Sequence, residues 1–266
     1  MGVLEMMSTT LPGGRALHTV RDVTAQAELL RLKEEFLLDV AHELRTPIAA
    51  MTASLDLVHQ DATSMPREEL RTMVGTLRRS ALRLEHLVEN LLDAGSIEAG
   101  TFEVRAVPAS IKAILEDSLL FMRSILDSKG QKLVTHFARG TDRVVCDPRR
   151  TGQVLSNLLG NAGKYGTEGS EIALRTESVA GFVKVTVHND GPAIPPEELA
   201  RLFQRFFRSR TVRGESGGLG LGLTICRAIV QAQGGEIGLD SAPDRGTSVH
   251  FTLPKARELA QEAGSA

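Results

Sequence analysis

Along the first part of the chain, Leu37, Val40, Leu44, Ile48, Met51, Leu55 and Val58 recur at intervals of three and four residues. That is the spacing of one stripe on a long helix, over about residues 25–58. After a break at 59–66, Leu70, Met73, Leu77, Leu84, Val88 and Leu91 describe a second helix from Arg67 to about Ala94. Two antiparallel helices with one apolar face each cannot bury both faces alone, so a four-helix bundle made by two copies of the chain is the simplest completion. Ahead of them, Ala16 to Val20 predicts one strand after the turn at Pro12, Gly13 and Gly14.

Beyond Gly95, Gly100 and Pro108 the period changes. Ser110 can cap a helix carrying Ile111, Ile114, Leu115, Met122 and Ile125, and short strands are predicted at 132–137 and 143–146. A helix over 151–165 precedes a pair of strands at 171–177 and 182–188, which read as a hairpin. A glycine-rich loop then opens a helix at about 221–233, and strands at 236–240 and 247–253 close a final hairpin around Asp244, Arg245 and Gly246. This order predicts an α/β sandwich of the α+β class, with helices on one face of a mixed sheet. The last dozen residues read as a polar tail.

Composition narrows the partners. The 266 residues carry 31 Lys and Arg against 33 Asp and Glu, a net charge of -2, without the basic excess of a polyanion-binding surface. Nine Phe, one Tyr and no Trp leave few platforms for stacked bases, so nucleic acid is excluded as the main partner. Cys146 and Cys226 belong to no Cys/His cluster and read as reduced, buried thiols. No apolar run is long enough to span a bilayer, and the first thirty residues lack a secretory pattern, so a soluble, cytoplasmic chain is expected. Glycine is unevenly placed: nine of 25 lie between Gly214 and Gly246, whereas 25–94 contains only Gly75.

Several clusters could carry chemistry. At about 100° per residue, Asp39, His42 and Thr46 fall within about 60° of one another, opposite the apolar stripe. An exposed His on a bundle helix usually means nothing. Pro47, however, removes a helix bond to the Glu43 carbonyl and predicts a kink beside it. On the 151–165 helix, Asn157, Asn161 and Lys164 share one face, with Leu155, Leu158, Leu159 and Ala162 behind them. The bland reading is a solvated polar face, although Asn is a poor helix former. Residues 217–223, Gly-Gly-Leu-Gly-Leu-Gly-Leu, could aim backbone amides at a polyphosphate ahead of a helix N-terminus, or could be a flexible linker. They form no Walker loop. Residues 189–195 alone would be only a turn, and 202–208, with three of the nine phenylalanines, alone reads as a helix packed on the core.

In this order and spacing the clusters resemble the sensor histidine kinases of two-component signalling. Residues 36–51, with Ala-His-Glu-Leu-Arg-Thr-Pro at 41–47, resemble the phospho-acceptor box, and 153–165 the asparagine box. Residues 189–195 and 218–223 resemble the two glycine boxes, 202–208 the phenylalanine box, and Gly246-Thr247 a last glycine motif. Arg21 to Thr24 also resembles the end of a PAS sensor domain. The likeness spans about 25–254.

The resemblance implies a PAS-end fragment and linker at 1–24, a dimerisation and histidine-phosphotransfer hairpin at 25–97, an ATP-binding domain at 105–256 and a tail at 257–266. The implied fold is a dimeric four-helix-bundle hairpin followed by an α/β sandwich. The resemblance makes His42 the nucleophile for the γ-phosphoryl group of ATP and Glu43 its general base or orienting partner. Thr46 would position water for dephosphorylation of the partner. Asn161 would bind Mg2+, supported by Asn157, with Lys164 and Arg208 meeting phosphate charge. Tyr165, Asn189, Asp190, Gly191, Ile194, Phe206 and Thr247 would line the nucleotide site, and Gly218, Leu219, Gly220, Leu221 and Gly222 would border a lid whose mobile part is 211–217.

Two departures matter. The family has Asp where Asn189 stands and Gly where Ala193 stands; an Asn oxygen still accepts, at a loss of about 1 kcal/mol in charge assistance. The implied partners are a second copy of the chain and a response-regulator receiver domain, and the chain could be the cytoplasmic part of a larger sensor. The alternative is a degenerate dimeric scaffold that binds a regulator without transferring phosphate. A more distant one is a gyrase-, chaperone- or mismatch-repair-type ATPase, which lacks such a phospho-acceptor hairpin.

Overall fold

The structure is a computed structural model and describes residues 2–12, 15–61, 65–209 and 219–256. The expected lid at 211–217, Gly218 and the expected tail at 257–266 lie outside the described residues. The chain divides into two compact units, one built on residues up to Leu84 together with Leu219, the other on the chain from Glu85 onward.

The first unit begins with β1 (Leu4–Leu11) and β2 (Arg15–Asp22), an antiparallel pair with Met6 opposite Val20 and Ser8 opposite His18. The sequence predicted only one strand here. β1 escaped notice because its apolar side chains, Leu4, Met6 and Met7, fall on both faces and stand exposed, leaving no period of two to detect. Asp22 Oδ1 accepts from the Thr24 backbone N–H at 2.9 Å, and Thr24 opens α1 (Thr24–Asp61), which is followed by α2 (Arg67–Glu98). The two long helices match the hydrophobic reading, but the most buried positions of α1 are not those of the predicted stripe. Glu43, Pro47 and Ser54 are buried, while Leu37, Ile48 and Leu55 of the apolar stripe remain exposed. These two arcs lie about 90° apart on the helix. Val74, on α2, is likewise exposed.

In the second unit β3 (Val107–Ser110) precedes α3 (Ile111–Ser128), β4 (Lys132–Phe137), β5 (Arg143–Cys146) and α4 (Pro148–Tyr165). Then come β6 (Glu171–Val179), β7 (Phe182–Asn189), a single turn α5 (Pro196–Leu199), α6 (Gly222–Ala232), β8 (Ile237–Ala242) and β9 (Gly246–Pro254). The main sheet has the order β4-β6-β7-β9-β8; β4 and β6 are parallel and the other pairs antiparallel, so it is mixed as expected. β3 pairs with β5 in a separate two-stranded sheet that the sequence did not reveal, since Pro108 interrupts so short a run. Ser110 caps α3 as predicted, its Oγ accepting from the Ala113 N–H at 3.1 Å.

The core of this unit lies between the sheet and its helices. Val183, Val185 and Val187 of β7 and Phe251 and Leu253 of β9 face Ile111 and Leu115 of α3, Leu155, Leu158 and Leu159 of α4, and Ile225 and Ile229 of α6, all buried. α4 packs against α3, α6 and β7. The last turns of α2 belong to this unit: Asp93, buried, accepts from Arg150 Nη1 at 2.6 Å and Gln153 Nε2 at 2.7 Å, and Arg150 also lies over the Phe102 ring.

Asp147 starts α4. Its Oδ1 accepts from the Arg150 N–H at 3.1 Å and its Oδ2 from the Arg105 N–H at 2.9 Å, with Pro148 at the first helical position. Burial opposes the Asp147 charge, but the N–H groups of Arg105, Arg150 and Arg149 and the Arg149 guanidinium outweigh it and hold the carboxyl below its ordinary value. Asp147→Ala is expected to cost about 1–2 kcal/mol, read as a lower urea midpoint at pH 7. Because the folded state lowers this acidity constant, the stabilisation is complete above the unfolded value of 3.8 and is lost as pH falls through the folded one. The midpoints of wild type and variant should therefore converge in acid.

Candidate active site

The site residues fall in both units. On α1, His42 is exposed and Thr46 follows one turn later, its Oγ1 donating to the His42 carbonyl at 3.1 Å. Pro47 has no N–H for the Glu43 carbonyl, so this turn is held partly by the threonine hydroxyl instead. Asp39, expected at the surface with them, is half-buried. Glu43 turns away from solvent: its side chain is 8% exposed, and its Oε2 meets Arg83 Nη2 of α2 at 2.8 Å. The partnership spans forty residues, and no local spacing announced it.

On α4 the second cluster is built as its spacing predicted. Val154, Leu155, Leu158, Leu159 and Ala162 are buried against the core. Asn157, Asn161, Lys164 and Tyr165 are each half-buried on the side turned from it. The Asn157 Nδ2 is buried and has no hydrogen-bond partner among the described residues. A buried amide left unsatisfied is costly, so this donor can take a further acceptor. Lys164 Nζ lies over the Tyr165 ring at 5.0 Å. Burial pushes the Tyr165 hydroxyl up, and the charge of Arg208 offsets part of that rise.

The loops close around this face. A Cβ on Gly222 would stand 3.0 Å from Asn157 Oδ1, so the start of α6 approaches α4 closely and a side chain there would press on the Asn157 amide. A Cβ on Gly191 would stand 2.5 Å from the Tyr165 carbonyl oxygen and 3.0 Å from Asn189 Nδ2. Asn189, buried at the end of β7, pairs with Thr247 of β9. Thr247 Oγ1 shares a 2.8 Å hydrogen bond with Ser241, which accepts from the Ile194 N–H at 3.1 Å. Ser241 was not among the predicted site residues; it fixes Ile194 from β8, a contact no local motif encodes. Asp190 is exposed beside Asn189, and its carbonyl accepts from the Thr167 N–H at 2.7 Å.

Residues 202–208 are a run of turns and not the helix that hydrophobicity alone suggested. The reason is local. Phe206 takes φ +66°, which no helical residue can have and a bulky side chain adopts only when its surroundings impose it. Gly220, also at φ +66°, packs its α-carbon on the same stretch: a Cβ there would stand 3.0 Å from the Phe207 carbonyl oxygen and 3.3 Å from Arg208 Cγ. Gly220, Gly222, Phe206 and Arg208 are thus drawn together with the α4 face. Leu221 is buried in this unit, while Leu219 is buried and belongs to the first.

A nucleotide polyphosphate fits this donor set, since the orphaned Asn157 amide, Lys164 and glycine backbone converge on one face. Among the described residues no group of three or more His, Cys, Asp or Glu gathers as a metal cage. Asn161, half-buried on the same face of α4, is the side chain there whose oxygen could meet a hard cation.

Residues 32–100 match the His Kinase A (phospho-acceptor) domain, and residues 146–257 the histidine kinase-, DNA gyrase B- and HSP90-like ATPase. The chain belongs to the sensor histidine kinase family. Among curated members, it is 33% identical over 245 residues to the sensor protein GacS of Pseudomonas syringae pv. syringae, covering 89% of this chain and 27% of GacS. It is 31% identical over 248 residues to SrrB of Staphylococcus aureus, covering 91% of this chain and 42% of SrrB. The chain thus spans well under half of these sensors.

Among solved structures, the catalytic domain of the histidine kinase ThkA aligns at a TM-score of 0.51 and 28% identity, over 57% of this chain and 96% of that one. Full-length ShkA, solved with AMPPNP, shares the fold at a TM-score of 0.60 and 24% identity, over 84% of this chain and 46% of its own. ThkA in complex with the response regulator TrrA shares it at 0.54 and 23%, over 95% and 75%. A helical hairpin ahead of an ATPase-type sandwich is the histidine kinase arrangement.

In this kinase core the turn at Gly191 has no space for a side chain. Gly191→Ala is expected to cost about 1–3 kcal/mol through overpacking against Tyr165, read as a lower denaturant midpoint. A midpoint equal to wild type would mean that the turn is not held where the structure has it.

Proposed function

We propose that this chain is an ATP-dependent protein-histidine kinase that phosphorylates His42 and passes the phosphoryl group to an aspartate of a response regulator. The observation that carries the reading is the orphaned, buried Asn157 amide on the glycine-walled face of α4, in a chain whose other unit exposes His42 one turn ahead of Pro47.

The roles are those the family resemblance implies. Asn157, Lys164 and the backbone near Gly220 and Gly222 bind the polyphosphate, and Asn161 supplies the protein oxygen for Mg2+. The cation offsets phosphate charge when bound. Asn189, Asp190, Gly191, Ile194, Tyr165, Phe206 and Thr247 form the nucleotide's surroundings, with Leu219, Gly220, Leu221 and Gly222 beside the phosphates. His42 attacks the γ-phosphorus through one ring nitrogen; the N–P bond forms as the bridging P–O bond breaks and ADP leaves with its electron pair. Glu43 takes the proton that the other nitrogen must lose, and Arg208 stabilises the transferring charge. Thr46 positions water when the protein acts as a regulator phosphatase, in which water attacks the aspartyl phosphate, the P–O bond to the aspartate breaks and inorganic phosphate leaves. ThkA crystallises with its regulator and ShkA with a nucleotide analogue, and both share this fold.

The chain acts as a homodimer. Leu37, Ile48 and Leu55 on α1 and Val74 on α2 are exposed apolar side chains outside the α1–α2 contact, and a second copy of the hairpin covers them. We place this kinase on the cytoplasmic side of a larger sensor, with β1 and β2 as the end of its PAS domain. No described helix is long and apolar enough to cross a membrane.

Incubation with γ-labelled ATP tests the reading. Label that is acid-labile, alkali-stable and absent from His42→Gln is expected; label persisting in that variant would relocate the site, and no label with intact nucleotide binding would leave the non-catalytic scaffold. Asn189→Asp adds charge to an acceptor and is expected to tighten ATP binding by about fivefold, equivalent to about 1 kcal/mol, in a calorimetric titration. An unchanged affinity would show that the nucleotide does not rest on this side chain.

A further inference from the structure

Glu43 follows His42 directly, so their side chains leave α1 about 100° apart. The structure shows the consequence: His42 stands exposed, while the Glu43 carboxylate is enclosed and ion-paired with Arg83 at 2.8 Å. The two partners are unequally placed. Glu43 is 8% exposed and Arg83 54%, so the arginine reaches in from solvent to a carboxylate that cannot easily leave. A long, half-hydrated guanidinium recovers water when it lets go, whereas the buried carboxylate must find another donor. The ring N–H of the preceding residue is the donor that the proposed phosphorylation of His42 requires it to meet.

We infer that Arg83 is a positioning residue that holds Glu43 away from His42, so that phosphorylation of His42 requires Glu43 to exchange one partner for the other. The inference rests on His42 as the phospho-acceptor and Glu43 as its proton acceptor. In the exchange Glu43 releases Arg83 to water and accepts the N–H of the imidazole. The opposite ring nitrogen forms the N–P bond, the P–O bond to ADP breaks, and the ring proton passes to the carboxylate. Arg83 is therefore a brake on the forward reaction, set by a contact between the two helices of one hairpin. Its removal changes the rate of the chemical step and leaves nucleotide affinity alone.

The test uses the full chain with Arg83→Gln, Arg83→Lys, Glu43→Gln and the double variant Arg83→Gln/Glu43→Gln. Initial labelling of His42 at saturating ATP should rise about threefold to fivefold in Arg83→Gln, the worth of a half-exposed ion pair, and less in Arg83→Lys, which keeps the charge but not the fork. ATP affinity by calorimetry should not move, and Arg83→Gln should add nothing in the Glu43→Gln background. A slower Arg83→Gln, or the same acceleration without Glu43, overturns the inference.

A second readout needs no catalysis. In 15N spectra of the His42 ring, Arg83→Gln should shift the population toward one tautomer, and the double variant should return it. An unmoved tautomer ratio overturns the inference even if the wild type takes no label, a result that would separately remove the kinase reading. Thermal melts followed by circular dichroism identify an unfolded variant, and Arg83→Lys then carries the comparison alone.

Discussion

One helix has to serve two solvents at once, and the second unit is arranged around that requirement. α4 seals Leu155, Leu158, Leu159 and Ala162 into the core between α3, α6 and β7, and only because that side is fixed can Asn157, Asn161 and Lys164 be held on the other. Its start is set by the Asp147 cap and by the Arg150 and Gln153 bonds to Asp93. A helix so anchored cannot rotate to offer the Asn157 amide a protein partner. The unsatisfied donor is thereby kept in place.

The loops respect the same geometry. Gly191 meets the Tyr165 backbone with no space for a side chain, Gly222 comes close to the Asn157 amide, and Gly220, with a left-handed backbone, comes close to the Phe206–Arg208 stretch. Phe206 accepts a left-handed backbone to make that approach, a local strain maintained by the packing around it. In the first unit the constraint is of another kind. α1 buries Leu32, Glu43, Pro47 and Ser54, leaves Leu37, Ile48 and Leu55 of its apolar stripe exposed, and pairs Glu43 with Arg83 of α2.

Much of this was legible from period and spacing. The strands of the main sheet, α3, α4 and α6 fell within a few residues of their expected positions, because alternation and 3.6-residue stripes report burial directly. The faces of α4 followed from the 100° rotation per residue, and the close approaches at Gly191, Gly220 and Gly222 agree with the glycine boxes. What escaped was tertiary in origin. β1 has no alternation because both its faces are exposed, β3 is masked by Pro108, and Phe206 broke the helix expected over 202–208 through contacts with Gly220. The Glu43–Arg83 pair joins residues forty positions apart, and Ser241 reaches Ile194 from another strand. No local pattern encodes either contact.

The central claim is that nucleotide occupies the face of α4 where the orphaned amide is held. Amide hydrogen exchange of the full chain, with and without saturating Mg2+ and a non-hydrolysable ATP analogue, tests it most directly. The account predicts slowed exchange concentrated in residues 157–165, 189–194 and 220–224. Binding that leaves those amides unchanged, or that protects only the helical hairpin, would contradict it.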